Sequence, residues 1–150
     1  MPALFYHVTQ SPVEGVVETL LTRALAQGWR VELRGVSPER MDWLDQKLWL
    51  GPEEDFLPHG LAGGPHDALQ PVLLTTTPRP EGRQAVMTLD GAEVTPGEVA
   101  AAERVWILFD GRDEVAVARA RDQWKALTGA GTAAQYWSEE SGRWQKKAEK

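Results

Sequence analysis

The chain has 150 residues, no cysteine and a formal net charge of -6. That length suits one domain with a buried core. The lack of cysteine excludes disulfides and thiolate chemistry, and the acidic balance argues against a broad nucleic-acid-binding surface.

"ALFYHV" (Ala3–Val8) is short, apolar and aromatic, and reads as a strand. Ser11, Pro12 and Glu14 give a helix start with a capping box. Val13, Val16, Val17, Leu20, Leu21, Ala24 and Leu25 then form one helical stripe, and Gly28 stops it. "WRVELRG" (Trp29–Gly35) alternates as a second strand, so strand, helix and strand make a βαβ unit with parallel strands. Ser37 and Pro38 open a second helix with Met41, Leu44 and Leu48 buried and Trp49 at the stripe's edge; Gly51 and Pro52 end it. The Pro- and Gly-rich stretch "FLPHGLAGGPH" (Phe56–His66) reads as a loop.

"PVLLTT" (Pro71–Thr76) and "QAVMTLD" (Gln84–Asp90) read as strands around a turn. Thr95 and Pro96 start a short helix through Ala102. "RVWILFD" (Arg104–Asp110) is an apolar run of the kind buried in a sheet centre. Asp113–Thr128 is a third major helix, and "AAQYW" (Ala133–Trp137) a last strand. The alternation gives an α/β domain with a mostly parallel sheet flanked by helices. It covers residues 1–137, with 138–150 as a mobile charged tail.

No apolar run is long enough to cross a bilayer, so no membrane contact is expected. "MPALFYHVTQ" has no basic flank leading into an apolar stretch, which reads against a signal peptide and for a cytoplasmic home. Charge is uneven: residues 112–150 hold 8 basic and 6 acidic side chains, and the remainder 8 basic and 16 acidic. An anionic partner therefore meets least repulsion in the C-terminal quarter.

"GLAGGPHD" has the glycines of a phosphate loop but no lysine, and it sits between a helix and a strand, the wrong order. No nucleotide or other cofactor is expected. His59 and His66, with Asp55 and Asp67, match no metal-ligand spacing, and His59 is expected to bond backbone and shape its loop. Nothing specific supports catalysis. On the third helix Val117, Arg121 and Trp124 share a face at i, i+4 and i+7. Arg119 and Lys125 flank it, and Arg112 lies just before the helix. A guanidinium beside an indole suits a peptide ending in an aromatic residue and a free carboxylate. The plainer alternative packs Trp124 on the sheet and leaves Arg121 solvated.

"FYHV" (Phe5–Val8), "MDWLDQKLW" (Met41–Trp49), "FLPHGLAG" (Phe56–Gly63), "PVLLTT", "RARDQWKALTGAG" (Arg119–Gly131) and "YW" (Tyr136–Trp137) occur in this order. Together they make the chain resemble the chi subunit of bacterial DNA polymerase III over nearly its whole length. The resemblance implies a non-catalytic accessory subunit on a fold similar to a mononucleotide-binding domain lacking its phosphate loop. It implies that the chain links the clamp loader, through the psi subunit or another replication or repair protein, to single-stranded-DNA-binding protein, with DNA contacted mainly indirectly. By the same resemblance Trp49, Arg121 and Trp124 hold that protein's acidic, phenylalanine-ending tail. Val117 stands where the family pattern has a lysine, with Arg112 or Arg119 to compensate, and Asp110 replaces an apolar contact. The psi-type surface implied is Phe56, Pro58, His59 and Leu61. The competing reading is a small α/β enzyme using His59 and nearby acids.

Overall fold

The computed structural model describes residues 2–49, 58–79 and 81–150. Eight strands, β1 (Ala3–Val8), β2 (Val31–Arg34), β3 (His59–Leu61), β4 (Val72–Thr75), β5 (Ala85–Thr88), β6 (Arg104–Asp110), β7 (Ala134–Ser138) and β8 (Gln145–Glu149), form one sheet. Their order is β3-β4-β2-β5-β6-β1-β7-β8. Every neighbouring pair is parallel except β7 and β8. The α/β class and the parallel sheet are therefore as the alternation of elements implied.

Helices α1 (Val13–Ala26) and α2 (Pro38–Trp49) cover one face, and α3 (Pro96–Ala101) and α4 (Glu114–Gly129) the other. Period-2 alternation assigns the strand residues. Leu4 and Val8 of β1 join the α1 and α2 side chains, whereas Ala3 and Phe5 join Val99, Ala120 and Leu127 of α3 and α4. The stripe expected on α1 is buried as Val16, Val17, Leu20, Leu21 and Ala24, and that on α2 as Met41, Leu44 and Leu48. Thr95 and Glu98 form a reciprocal capping box on α3, and Asp113 caps α4 through the Val115 and Ala116 N–H groups. No helix among the described residues is long and apolar enough to cross a membrane.

Chain direction divides the sheet. The connections leaving β1 and β2 carry α1 and α2 toward the β3 edge; those leaving β5 and β6 carry α3 and α4 toward the β7 edge. The two directions diverge between the carboxyl ends of β2 and β5, which are neighbours. In open α/β sheets this is the switch point where a crevice forms.

Three local readings are corrected. Ser11 does not cap α1. Pro12 holds the cap position without a side-chain bond, because Ser11 Oγ donates instead to Glu139 Oε2 at 2.9 Å. The stretch read only as a loop contains β3, which pairs with β4 in parallel. The residues read as a mobile tail form part of the fold: β8 pairs with β7, and Trp144 stands edge-on to Tyr6 at 4.9 Å.

Candidate partner-binding site

The turn between β1 and α1 is where a mononucleotide-binding fold receives phosphate on backbone N–H groups. Here Thr9, Gln10 and Ser11 donate their N–H groups to Glu139 Oε1 at 3.1, 2.9 and 2.8 Å. Burial pushes the Glu139 carboxyl up, but these donors and the Ser11 hydroxyl outweigh it and hold the group below its usual value. The chain thus fills its own anion nest with a carboxylate.

The α4 surface is built differently. Trp124 meets Phe5 edge-on at 5.2 Å and Tyr136 at 6.0 Å. The Tyr136 hydroxyl lies 2.8 Å from His7 Nδ1, and the His7 ring stacks on Phe109 at 5.1 Å. A side chain on Gly111 would collide with that His7 ring, so the loop after β6 crosses it only as glycine. Trp124 and Val117 are half-buried against the second core, while Arg121 is exposed. Burial raises the Tyr136 phenol above its ordinary value, and the Arg121 guanidinium opposes that rise. An exposed cation therefore stands beside a half-buried aromatic cluster. His7 and Tyr136 belong to it although the sequence alone did not place them there; both stand within motifs that carried the family resemblance.

The remaining residues divide. Arg112 is engaged by Asp110, Nε to Oδ1 at 2.9 Å, and by the Ser11 carbonyl at 3.2 Å. Arg119 lies on the other flank of α4, with Nη1 3.5 Å from the Asp90 carbonyl and its side chain over Gly91. The structure does not bring Trp49 to this surface. Trp49 ends α2 in the opposite helix layer and contacts His59 of β3, ring centroids 4.2 Å apart. In the strand order β3 is five positions from β1, about 24 Å at ordinary strand spacing.

His59 is buried, with Nε2 donating to the Asp45 carbonyl of α2 at 3.0 Å and lying 3.3 Å from Asp45 Oδ1. It bonds backbone, as expected, and ties β3 to α2. Leu61 is partly exposed beside it and Pro58 half-buried. Phe56 lies outside the described residues. Among the described residues no three potential His, Cys, Asp or Glu ligands gather as a metal site.

The first turn of this α/β scaffold is thus filled by the chain's own carboxylate, and the aromatic and guanidinium groups of α4 stand elsewhere. The chain belongs to the DNA polymerase III chi subunit family (HolC), whose model matches residues 1–135. The family is that of an accessory subunit of DNA polymerase III, acting in DNA replication with partners in the replication complex. Most of the β7–β8 hairpin lies beyond the matched residues. No curated protein matches the chain. Among solved structures it is similar to the C-terminal domain of a possible DNA helicase from Lactobacillus plantarum WCFS1, at 13% identity over 73% of each chain and a TM-score of 0.49.

Proposed function

We propose that this subunit connects the clamp loader to single-stranded-DNA-binding protein through two separate surfaces. The first is the α4 face, where Arg121 takes the terminal carboxylate of that protein's acidic tail and the Trp124–Tyr136 cluster takes its last aromatic ring. The second is the β3 edge with Trp49, Pro58 and Leu61, shaped from beneath by buried His59 and joined in sequence by Phe56, for psi or another replication or repair protein. DNA is reached mainly through these partners.

The observation that carries the first assignment is the exposed Arg121 guanidinium beside half-buried Trp124 and Tyr136. It lies in the one net-basic quarter of the chain. An acidic peptide ending in phenylalanine matches it in charge and in shape.

Fluorescence anisotropy with a labelled tail peptide tests the reading. Affinity should be in the micromolar range, about -8 kcal/mol. Arg121→Ala should lower it at least about tenfold, since hydrogen bonds to a charged group contribute roughly 1.5–3 kcal/mol. Arg112→Ala, already held by Asp110, should change it much less. Equal binding of a peptide without its final phenylalanine, or unchanged binding by Arg121→Ala, removes the tail from this face.

A further inference from the structure

The crevice at the switch point is an open cleft of about 870 Å³, within the range of ligand pockets. It lies between the ends of β2 and β5 and the flank of α4 that faces away from Arg121. Its floor holds Arg34, buried and clamped between two carboxylates: Nε to Glu32 Oε2 at 2.7 Å and Nη2 to Glu98 Oε2 at 2.6 Å. Nη2 also donates to Glu32 Oε1 at 2.9 Å, and Nη1 donates to the Glu93 carbonyl at 2.8 Å and to Glu98 Oε1 at 3.1 Å. Every N–H of this guanidinium is taken, so Arg34 has nothing to offer a phosphate.

The rim adds the exposed side chains of Glu93 and Asp122 against one guanidinium, that of Arg119, which turns toward the Asp90 carbonyl. Among the described residues the cleft lining carries two carboxylates, Glu93 and Asp122, and two guanidiniums, Arg34 and Arg119, and the charge of Arg34 is outweighed by the Glu32 and Glu98 carboxylates bonded to it. A crevice with low-dielectric walls focuses such an imbalance. It repels nucleotides and favours a cation. The walls are apolar at Val36, half-exposed, and at Ala126 and Leu127, which suits the stem of a long side chain and apolar neighbours. The cleft is far larger than one arginine side chain, so the cation comes with further chain attached.

We propose that this cleft takes an arginine or lysine side chain carried by an extended, otherwise apolar segment of a protein partner. The site is distinct from both surfaces assigned above and does not depend on them.

Amide NMR spectra of the full chain test it with four probes: capped Leu-Arg-Leu, capped Leu-Gln-Leu, agmatine and a thymidine oligonucleotide. Leu-Arg-Leu should shift the amides of Gly35, Ala92, Val94 and Gln123, and do so less as salt rises. Leu-Gln-Leu and agmatine should bind more weakly, and the oligonucleotide should leave those amides unmoved. The double variant Glu93→Gln/Asp122→Asn, both positions exposed, should weaken Leu-Arg-Leu about fivefold, the order set by two exposed ion pairs. Equal shifts from Leu-Gln-Leu make the cleft merely apolar, and equal binding of agmatine makes it a small-cation site. Either result overturns the proposal, as do oligonucleotide shifts at those amides or none from any probe at millimolar concentration.

Discussion

Ser11 and Glu139, 128 positions apart, are joined twice: the Ser11 N–H donates to Glu139 Oε1 at 2.8 Å and its hydroxyl to Oε2 at 2.9 Å. The contact ties the turn that starts α1 to the loop between β7 and β8. It also puts a carboxylate of the protein itself where related folds place a phosphate.

Glu139→Ala should therefore destabilise the protein by about 2 kcal/mol or more, because it strands the N–H groups of Thr9, Gln10 and Ser11. Glu139→Gln keeps an acceptor oxygen and should cost less. Urea denaturation at neutral pH separates the two. The folded-state carboxyl lies below its usual value. Its contribution is thus complete above the unfolded value, about 4.3, and disappears as pH falls through the lower folded value. The parent should lose stability over that acid window more steeply than Glu139→Gln. Parallel acid profiles would contradict the latch.

Nucleotide should find no place at the same turn. Isothermal titration with ATP and magnesium is expected to give no binding heat, and a micromolar dissociation constant would show that the nest opens.

Arg34 should be among the least replaceable side chains. Arg34→Ala leaves Glu32 and Glu98 facing each other, Glu32 fully buried, and should cost about 3–5 kcal/mol, the usual result of breaking a buried ion pair from one side. Arg34→Met combined with Glu32→Leu removes the two most buried charges, leaves Glu98 its bonds to Thr95, and should recover part of that loss. Thermal melts of the single and double variants decide it; a double variant no better than Arg34→Ala contradicts the charge argument.

The two proposed surfaces should be separable by mutation. Trp49→Ala, in the opposite helix layer from α4, should leave tail-peptide affinity unchanged while weakening a partner at the β3 edge. Val117→Lys should strengthen peptide binding by adding a cation one turn before Arg121. That gain should fade with salt, as exposed charges are screened beyond about 10 Å at 0.1 M. A peptide affinity that falls equally for Trp49→Ala and Arg121→Ala would merge the surfaces.

What the sequence disclosed follows from where the physical signal is local. The α1 stripe and the apolar run of β6 carry their periodicity in adjacent residues, and Arg121 with Trp124 are neighbours by helical spacing alone. β3 is only three residues long and contains glycine, and β8 is "QKKAE". Neither has an apolar alternation to read, since each is specified by the strand it joins. Trp49 could be placed on a helix end but not in a layer, because the layer depends on which way the crossover turns. The Ser11 cap failed for a similar reason: a carboxylate more than a hundred residues away competes better for its hydroxyl than the helix does. His7 and Tyr136 meet only once β1 and β7 pair.

The position of β1 has a consequence for how the chain is made. Its two neighbours are β6 and β7, so residues 3–8 pair only with residues 104–110 and 134–138. During synthesis β1 emerges well before either partner, since residues 104–110 and 134–138 both follow far behind it. β4 and β5, which each pair with β2 within residues 31–88, join it earlier. Distant parallel pairing of this kind is slow to form, and an apolar strand left waiting is exposed to wrong partners. On the ribosome, "ALFYHV" is therefore a segment that waits exposed until β6, and then β7, close over its two edges.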